Sequence, residues 1–303
     1  MITAEKLKTM QALPLSEKVD FSKSLIRDWY EHFNGRVAVS YSGGKDSTVL
    51  LHLVRNFYPD VPAVFCDTGL EFPEVKEHVK STVNVITLKP ELNFRQVLDT
   101  YGVVFPSKDV AEKVYYAKKG SNWAVNFFNG LDADGNSDPV KADRYSKYKY
   151  LIDAPFKISD KCCDIMKERP ISKFQKANRI MFYTGLMASE SKRRAQTIRN
   201  YGCNADHLTS SKPLGFWNDQ DILLYIYNND LKIPSVYGDI VCKNGKLTTT
   251  GEKRTGCMFC LIGSHIDNPN KFQRMKDTHT ARYKYCMEQL GLDRILTWLD
   301  IPH

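Results

Sequence analysis

The chain has 303 residues, of which 42% are apolar and 26% charged, so a disordered or collagen-like chain is excluded and a sizeable core is expected. It contains no run of about 18 apolar residues that would span a membrane. Met1 to Met10 are polar and helical in character rather than leader-like, which points to the cytoplasm. Lysine and arginine outnumber aspartate and glutamate by 43 to 35, and the net charge of +8 would tolerate polyanions without requiring them.

The length suggests about two domains. The chain reads as an N-terminal helical segment over 1–35 and an α/β nucleotide-binding domain over 36–240 with an insertion at about 107–160. A cysteine-bearing helical region follows over 241–303. Ser16 to Phe33 predicts an amphipathic helix capped by Ser16, because Val19, Leu25, Ile26, Trp29 and Phe33 recur at three- and four-residue steps before Gly35. Arg36 to Tyr41 suits a buried strand, and the loop Ser42 to Ser47 leads into a helix over Thr48 to Phe57. Strands over Val61 to Cys66 and Val83 to Leu88 follow, with a helix from Pro73 between them. This alternation predicts an α/β fold: a parallel twisted sheet with helices on both faces, right-handed crossovers, and ligands beyond the carboxyl ends of the strands. The pattern weakens from Ser107 to Lys161, where Asp132 to Pro139 reads as a turn-rich loop. A strand over Arg179 to Thr184, a helix over Asp219 to Asn228 and a last helix over Asn270 to Leu290 complete the reading.

Ser42-Gly-Gly-Lys-Asp-Ser47 carries the chemistry. Two glycines let backbone amides converge on an anion, and the next helix points its amino end at the same spot. Lys45 adds a full charge, Ser42 and Ser47 offer hydroxyls, and Asp46 could hold a magnesium ion. The spacing is not a Walker A loop, because Asp46 follows the lysine. A plain strand-to-helix turn would not call for Gly-Gly-Lys between two serines.

This loop resembles the PP-loop of the adenine-nucleotide alpha hydrolases. Asp67-Thr-Gly-Leu-Glu-Phe-Pro73 is similar to the second motif of that superfamily's phosphoadenosine phosphosulfate (PAPS) reductase branch, and Thr184 to Arg194 to its third. Lys212 to Ile226 followed by Ile233-Pro-Ser-Val-Tyr237 is similar to a later segment of the branch. The resemblance implies a Rossmann-like PP-loop fold. It also implies a nucleotide site of Ser40, Ser42, Gly43, Gly44, Lys45, Asp46, Ser47, Asp67, Thr68, Gly69, Gly185 and Glu190, with Glu190, Arg193 and Arg194 facing the reacting end and Lys45, Asp46, Arg193 and Arg194 as the catalytic set. Forked guanidinium donors suit phosphate and sulfate oxygens.

Eight cysteines in a chain expected in the cytoplasm are not a disulfide framework. Cys162 and Cys163 are adjacent, and Cys257 and Cys260 form a C-x-x-C. Four thiolates suit a [4Fe-4S] cluster or a tetrahedral zinc, and adjacent ligands favour the cluster. Assimilatory adenylyl-sulfate reductases of the branch carry a similar set around an iron–sulfur cluster. They also resemble one another in a mobile C-terminal tail whose cysteine attacks sulfur, whereas this chain ends Leu296 to His303 without one, which counts against reduction by that route. Cys66, Cys203, Cys242 and Cys286 read as singles, Cys66 as core and Cys203 or Cys242 as candidate reactive thiols.

Lys141 to Tyr150 interleaves Lys141, Arg144, Lys147 and Lys149 with Tyr145, Tyr148 and Tyr150. Cations suit phosphates and rings stack on exposed bases, so Arg144, Lys147 and Lys149 are candidate contacts to DNA or RNA; a solvated helical face is the plainer reading. The leading expectation is an ATP-using PP-loop enzyme of sulfur transfer: an acceptor is adenylated, pyrophosphate leaves, and a persulfide, with a cysteine desulfurase as its source, supplies sulfur. The DNA phosphorothioation enzymes most resemble this pattern. The rivals are an adenylyl-sulfate or PAPS reductase releasing sulfite, and a nucleotide-binding iron–sulfur sensor without turnover.

Overall fold

The computed structural model describes residues 2–204 and 209–303, so Met1, the start of the N-terminal segment, lies outside the described residues. The chain divides into two compact units. One comprises Met1–Asp67, Glu71–Lys89 and Pro170–Thr255; the other comprises Thr68–Leu70, Pro90–Arg169 and Gly256–His303. These divisions differ from boundaries at 35 and 240. The N-terminal helices belong to the first unit because they are bonded into it: Lys18 is buried with its ammonium 2.7 Å from Asp221 Oδ2, and Tyr183 donates to the Ile26 carbonyl at 2.7 Å. The insertion shares its unit with the chain from Gly256 onward, while 241–255 stays in the first unit.

The first unit is built on a five-stranded parallel sheet, β1 (Val37–Ser40), β2 (Ala63–Cys66), β3 (Val85–Leu88), β4 (Met181–Thr184) and β5 (Ser210–Ser211), in the order β3-β2-β1-β4-β5. Register places Ala38 opposite Phe182 and Val39 opposite both Ala63 and Tyr183. Side chains alternate across a strand. Ala38, Val64 and Phe182 therefore share one face, covered by Ile171 and Phe174 of the helix Arg169–Asn178, while Tyr183 points to the other face and bonds the helix Leu15–His32. Helices thus cover both faces, as the strand–helix alternation predicts. Chain order reverses at β1, so the loops after β1 and β4 flank the switch point where open α/β sheets bind ligands.

Several boundaries move for local reasons. The helix after the loop starts at Lys45 rather than Thr48, because Gly44 serves as N-cap and its carbonyl accepts the Thr48 amide at 3.0 Å. The helix expected from Ser16 spans Leu15–His32, with Pro14 rather than Ser16 at the N-cap position and no side-chain capping bond. β2 begins after Pro62, which has no amide hydrogen for a ladder. β4 begins after Arg179, held at φ +50°. Asp219–Asn228 is helical as predicted, with Asn218 and Asp221 forming a capping box. A hairpin of β6 (Ile240–Lys243) and β7 (Lys246–Thr249) turns at Asn244-Gly245, both at positive φ, as an Asn-Gly turn requires.

The second unit is largely helical. Lys108–Ala117, Asn122–Phe128 and Pro139–Tyr145 are helices where no regular pattern was expected, and they bury Val110, Val114, Phe128 and Tyr145. The long helix expected over Asn270 to Leu290 is interrupted. Lys271–Thr278 ends at His279, which leaves helical geometry at φ −134°, ψ 52°, and Thr280–Lys284 runs into a π-turn over Tyr285–Gln289. Among the described residues no helix is long and apolar enough to cross a membrane.

Candidate functional site

The loop Ser42 to Ser47 lies at the carboxyl end of β1, and its geometry is set by contacts that only glycine permits. Gly43 has φ +71°, and a Cβ there would stand 2.6 Å from Val79 Cγ2 and 2.9 Å from Val75 Cγ1. A Cβ on Gly44 would stand 2.9 Å from Thr255 Oγ1 and 3.0 Å from the Tyr237 hydroxyl. The two serines hold the loop itself. Ser47 Oγ donates to the Gly44 carbonyl (3.0 Å), accepts the Ser42 amide (3.2 Å) and lies 3.0 Å from Ser42 Oγ, which accepts the Gly44 amide at 3.3 Å. Their hydroxyls are thus engaged within the loop rather than turned outward.

Charges converge beside it. Lys45 is only 3% exposed at the first turn of the helix Lys45–Arg55, and its ammonium lies 2.9 Å from Asp46 Oδ1 and 3.0 Å from Asp219 Oδ1. Burial pulls its pKa down, but Asp46 and Asp219 together outweigh burial and hold it above the usual lysine value. Glu190 accepts the Met187 amide at 3.1 Å and bonds Arg194, while its other oxygen is 3.7 Å from Arg254. Arg254 reaches Asp219 at 3.8 Å. Burial and the nearby Arg254 guanidinium lower the Arg194 pKa, with Asp46 pulling the other way. The Lys45 amide donates to the Tyr237 hydroxyl (3.1 Å), which in turn pairs with Thr255 Oγ1 at 2.8 Å.

Lys45, Asp46, Glu190 and Arg194, each singled out from the sequence, are therefore neighbours, and Gly185 stands beside them, its Cβ direction 3.5 Å from the Asp46 carbonyl. Arg193 is exposed on the same helix as Arg194. Ser40 ends β1, paired with Val64 and Thr184. Asp67 follows β2 and is bridged by Lys76 at 2.9 Å. Thr68 and Gly69 fall in the second unit, where Thr68 Oγ1 accepts the Leu70 amide at 3.2 Å and Gly69 takes φ +78°. Sequence reasoning missed Arg254 and Thr255 and quoted Asp219 and Tyr237 only inside a longer segment. The acidic and aromatic partners lie 174 and 192 residues from Lys45, and no local spacing announces them.

All four motif cysteines belong to the second unit. Cys162 and Cys163 end the short helix Lys161–Cys163, followed by a π-turn over Asp164–Glu168. Burial pushes the Cys162 thiol up, and the charges of Cys163, Cys257 and Cys260 push it further, so the four share one neighbourhood. The Cys163 thiol is raised by burial and lowered in part by Lys108, whose ammonium also bonds Glu168 at 2.9 Å. The Cys260 amide donates to the Cys257 carbonyl at 3.2 Å, which turns both residues in one bend. The donor chemistry suits a cluster. As placed, however, no three His, Cys, Asp or Glu side chains among the described residues enclose a metal ion.

The model of the phosphoadenosine phosphosulfate reductase domain matches residues 36–261, most of the chain and the whole of the loop region. The chain belongs to the phosphoadenosine phosphosulfate reductase family. An uncharacterized protein of Methanocaldococcus jannaschii is 36% identical over 295 residues, covering 93% of this chain and 57% of that protein, so the chain spans little more than half of that relative. A phosphoadenosine 5'-phosphosulfate reductase of Xylella fastidiosa strain M12 is 24% identical over 220 residues, covering 73% of this chain and 75% of that protein. A phosphate complex of the phosphoadenylyl-sulfate reductase of Candida auris aligns with a TM-score of 0.40 at 13% identity, covering 81% of this chain and 98% of that one.

Within this member of the family, the basic aromatic stretch is more self-contained than its composition implies. Tyr145 is buried and donates to Asp109 at 2.8 Å, Arg144 lies 2.9 Å from the same carboxylate, and Lys141 pairs with Asp138 at 3.1 Å. Lys147 and Lys149 stand exposed, with the Lys147 ammonium 5.3 Å from the centre of the Tyr148 ring.

Proposed function

We infer that the chain is a nucleotide-activating enzyme of sulfur transfer that binds ATP with its outer phosphates on Ser42 to Ser47. The observation that carries this is Lys45: a lysine buried at a helix N-terminus, held between Asp46 and Asp219 in a glycine-lined loop at the sheet's switch point. Both the helix end and the ammonium favour negative charge there. An acceptor oxygen attacks the α-phosphorus, a new P–O bond forms, the α–β bridge breaks and pyrophosphate leaves towards Lys45. Fixed cations that need no reorganisation supply most of such a rate enhancement, together with positioning. Asp46 is the carboxylate that would meet a magnesium ion carried by the phosphates, and such an ion would neutralise charge on the leaving group. Arg194, fixed by Glu190 and within electrostatic reach of Asp46, would contact the same phosphates, and Arg193, more exposed on the same helix, would stand further out. A sulfur nucleophile then displaces AMP from the adenylated acceptor. Nucleic acid as the acceptor rests on exposed Lys147 and Lys149 alone; with a persulfide from a cysteine desulfurase as the sulfur source, the outer sulfur bonds the acceptor as AMP leaves, and a second thiol must then cleave the resulting mixed disulfide and carry off the carrier sulfur as a disulfide.

Cys162, Cys163, Cys257 and Cys260 would hold a [4Fe-4S] cluster, with zinc as the alternative. When bound, a cluster supplies electrostatic organisation or a sulfur relay. Anaerobically purified protein should be brown with iron and sulfide in the digest, and Cys257→Ser should bleach it; a colourless, zinc-loaded protein overturns the assignment.

A second reading, reduction of a sulfonucleotide with release of sulfite, is favoured by the name of the Xylella relative. The two separate in paired assays. Pyrophosphate from ATP that disappears in Lys45→Ala supports activation, sulfite from adenylyl sulfate replaces it with reduction, and tight binding without either product leaves only a nucleotide sensor.

A further inference from the structure

We propose that Arg254, which no motif of the loop region includes, is a third cationic arm that closes on the anionic tail of the bound nucleotide. The proposal rests on the nucleotide reading of Ser42 to Ser47. Three cations of the first unit, Lys45, Arg194 and Arg254, face three carboxylates, Asp46, Asp219 and Glu190. The six charges balance in the absence of ligand, but the three cations are not held alike. Lys45 is buried and makes two short ion pairs, and Arg194 is bonded to Glu190. Arg254 is 57% exposed, and its two carboxylate contacts, at 3.7 and 3.8 Å, are longer than charge-assisted hydrogen bonds. Exposed pairs of that length contribute little, so the guanidinium can leave them at small cost.

Its neighbour in sequence is fixed to the loop. Thr255 pairs with the Tyr237 hydroxyl, which accepts the Lys45 amide, and Thr255 Oγ1 also crowds the Cβ direction of Gly44 at 2.9 Å. The backbone at Arg254 is therefore anchored within one residue of the anion loop, while its side chain remains free to turn. Arg254 also sits close enough to Arg194 to lower its pKa. Two guanidiniums that repel one another across a single carboxylate, Glu190, form a site that gains when an anion enters between them. Forked donors match phosphate and sulfate oxygens. The ligand chemistry is thus the negatively charged tail beyond the α-phosphate, whether polyphosphate or sulfate, rather than the adenosine.

Titration calorimetry of the wild-type chain and of Arg254→Ala, Arg254→Lys and Thr255→Val with ATP, adenylyl sulfate and AMP tests the assignment. Loss of a charge-assisted contact should weaken binding of the tailed nucleotide by about tenfold or more in Arg254→Ala, with AMP affinity unchanged and partial recovery in Arg254→Lys. Whether the loss appears with ATP or with adenylyl sulfate tells polyphosphate from sulfate. Unchanged affinity for both tailed nucleotides, or an equal loss for AMP, overturns the proposal. Thr255→Val, which loosens the loop that holds the outer phosphates, is expected to weaken ATP and leave AMP unchanged, and the partial recovery in Arg254→Lys, which keeps the loop intact, separates loss of the guanidinium from loss of the loop. A wild-type chain that binds neither ATP nor adenylyl sulfate would instead remove the nucleotide reading on which the proposal stands.

Discussion

Lys45 is enclosed between Asp46 and Asp219 at the end of a parallel strand, whereas Lys147 and Lys149, in a stretch with more positive charge per residue, stand in solvent. Around Lys45 the hydroxyls of Ser42 and Ser47, the Tyr237 hydroxyl and the glycine contacts all fix the backbone. In the insertion one of the three interleaved tyrosines, Tyr145, is instead a core residue that bonds Asp109, and Arg144 is spent on the same carboxylate. The contrast lies in desolvation: at Lys45 its cost has already been offset by fixed partners, whereas Lys147 and Lys149 remain hydrated. Density of charge in the sequence does not report this.

The largest effect should come from the enclosed lysine. Lys45→Ala is expected to lower nucleotide-dependent pyrophosphate release by about 100-fold or more, measured at saturating ATP with the fold checked by circular dichroism. A loss of less than tenfold would make Lys45 a structural residue and erase the difference between the two regions. Another buried lysine of the first unit sharpens the comparison, since Lys18 is 1% exposed and bonds Asp221 and the Gln11 carbonyl, both at 2.7 Å, with no part in the loop. Removing one member of a buried pair strands the other charge, so Lys18→Met should cost about 3 kcal/mol in urea unfolding. It should leave nucleotide affinity in the remaining folded protein intact.

In the insertion the expected effects are smaller. Neutralising Lys147 and Lys149 together should reduce affinity for a DNA or RNA oligonucleotide by a few-fold at low salt and flatten its salt dependence. Equal binding by the double variant would take nucleic acid away from this surface. Asp109 gives the mildest effect. Burial raises its pKa, but hydrogen bonds from Lys113 and Tyr145 and the charges of Lys113 and Arg144 prevail, so the value lies below the usual 3.8. A carboxylate lowered on folding stabilises the folded state above its ordinary pKa, and that contribution is lost as pH falls through the lowered value. The second unit should therefore lose stability below about pH 4, and Asp109→Asn should show a shallower acid dependence in thermal unfolding monitored by tyrosine and tryptophan fluorescence.

The sequence on its own determined the parallel α/β core and the glycine-lined loop Ser42 to Ser47. A buried strand, two glycines, a lysine and an amphipathic helix are all local, and each follows from backbone freedom or hydrophobic period within a few residues. Glu190 and Arg194 were marked only by the resemblance of Thr184 to Arg194 to the third motif of the family. The sequence did not reveal the helices of the insertion, whose apolar residues are short-spaced and broken by turns, nor the break at His279. Only the tertiary structure decided that Asp219, Tyr237, Arg254 and Thr255 surround Lys45, that the N-terminal helices share the sheet's unit, and that the insertion shares a unit with the C-x-x-C segment. The reason is physical. Ion pairs and hydrogen bonds between residues some 200 positions apart arise when packing brings the surfaces together, and nothing in the neighbourhood of either residue encodes the meeting.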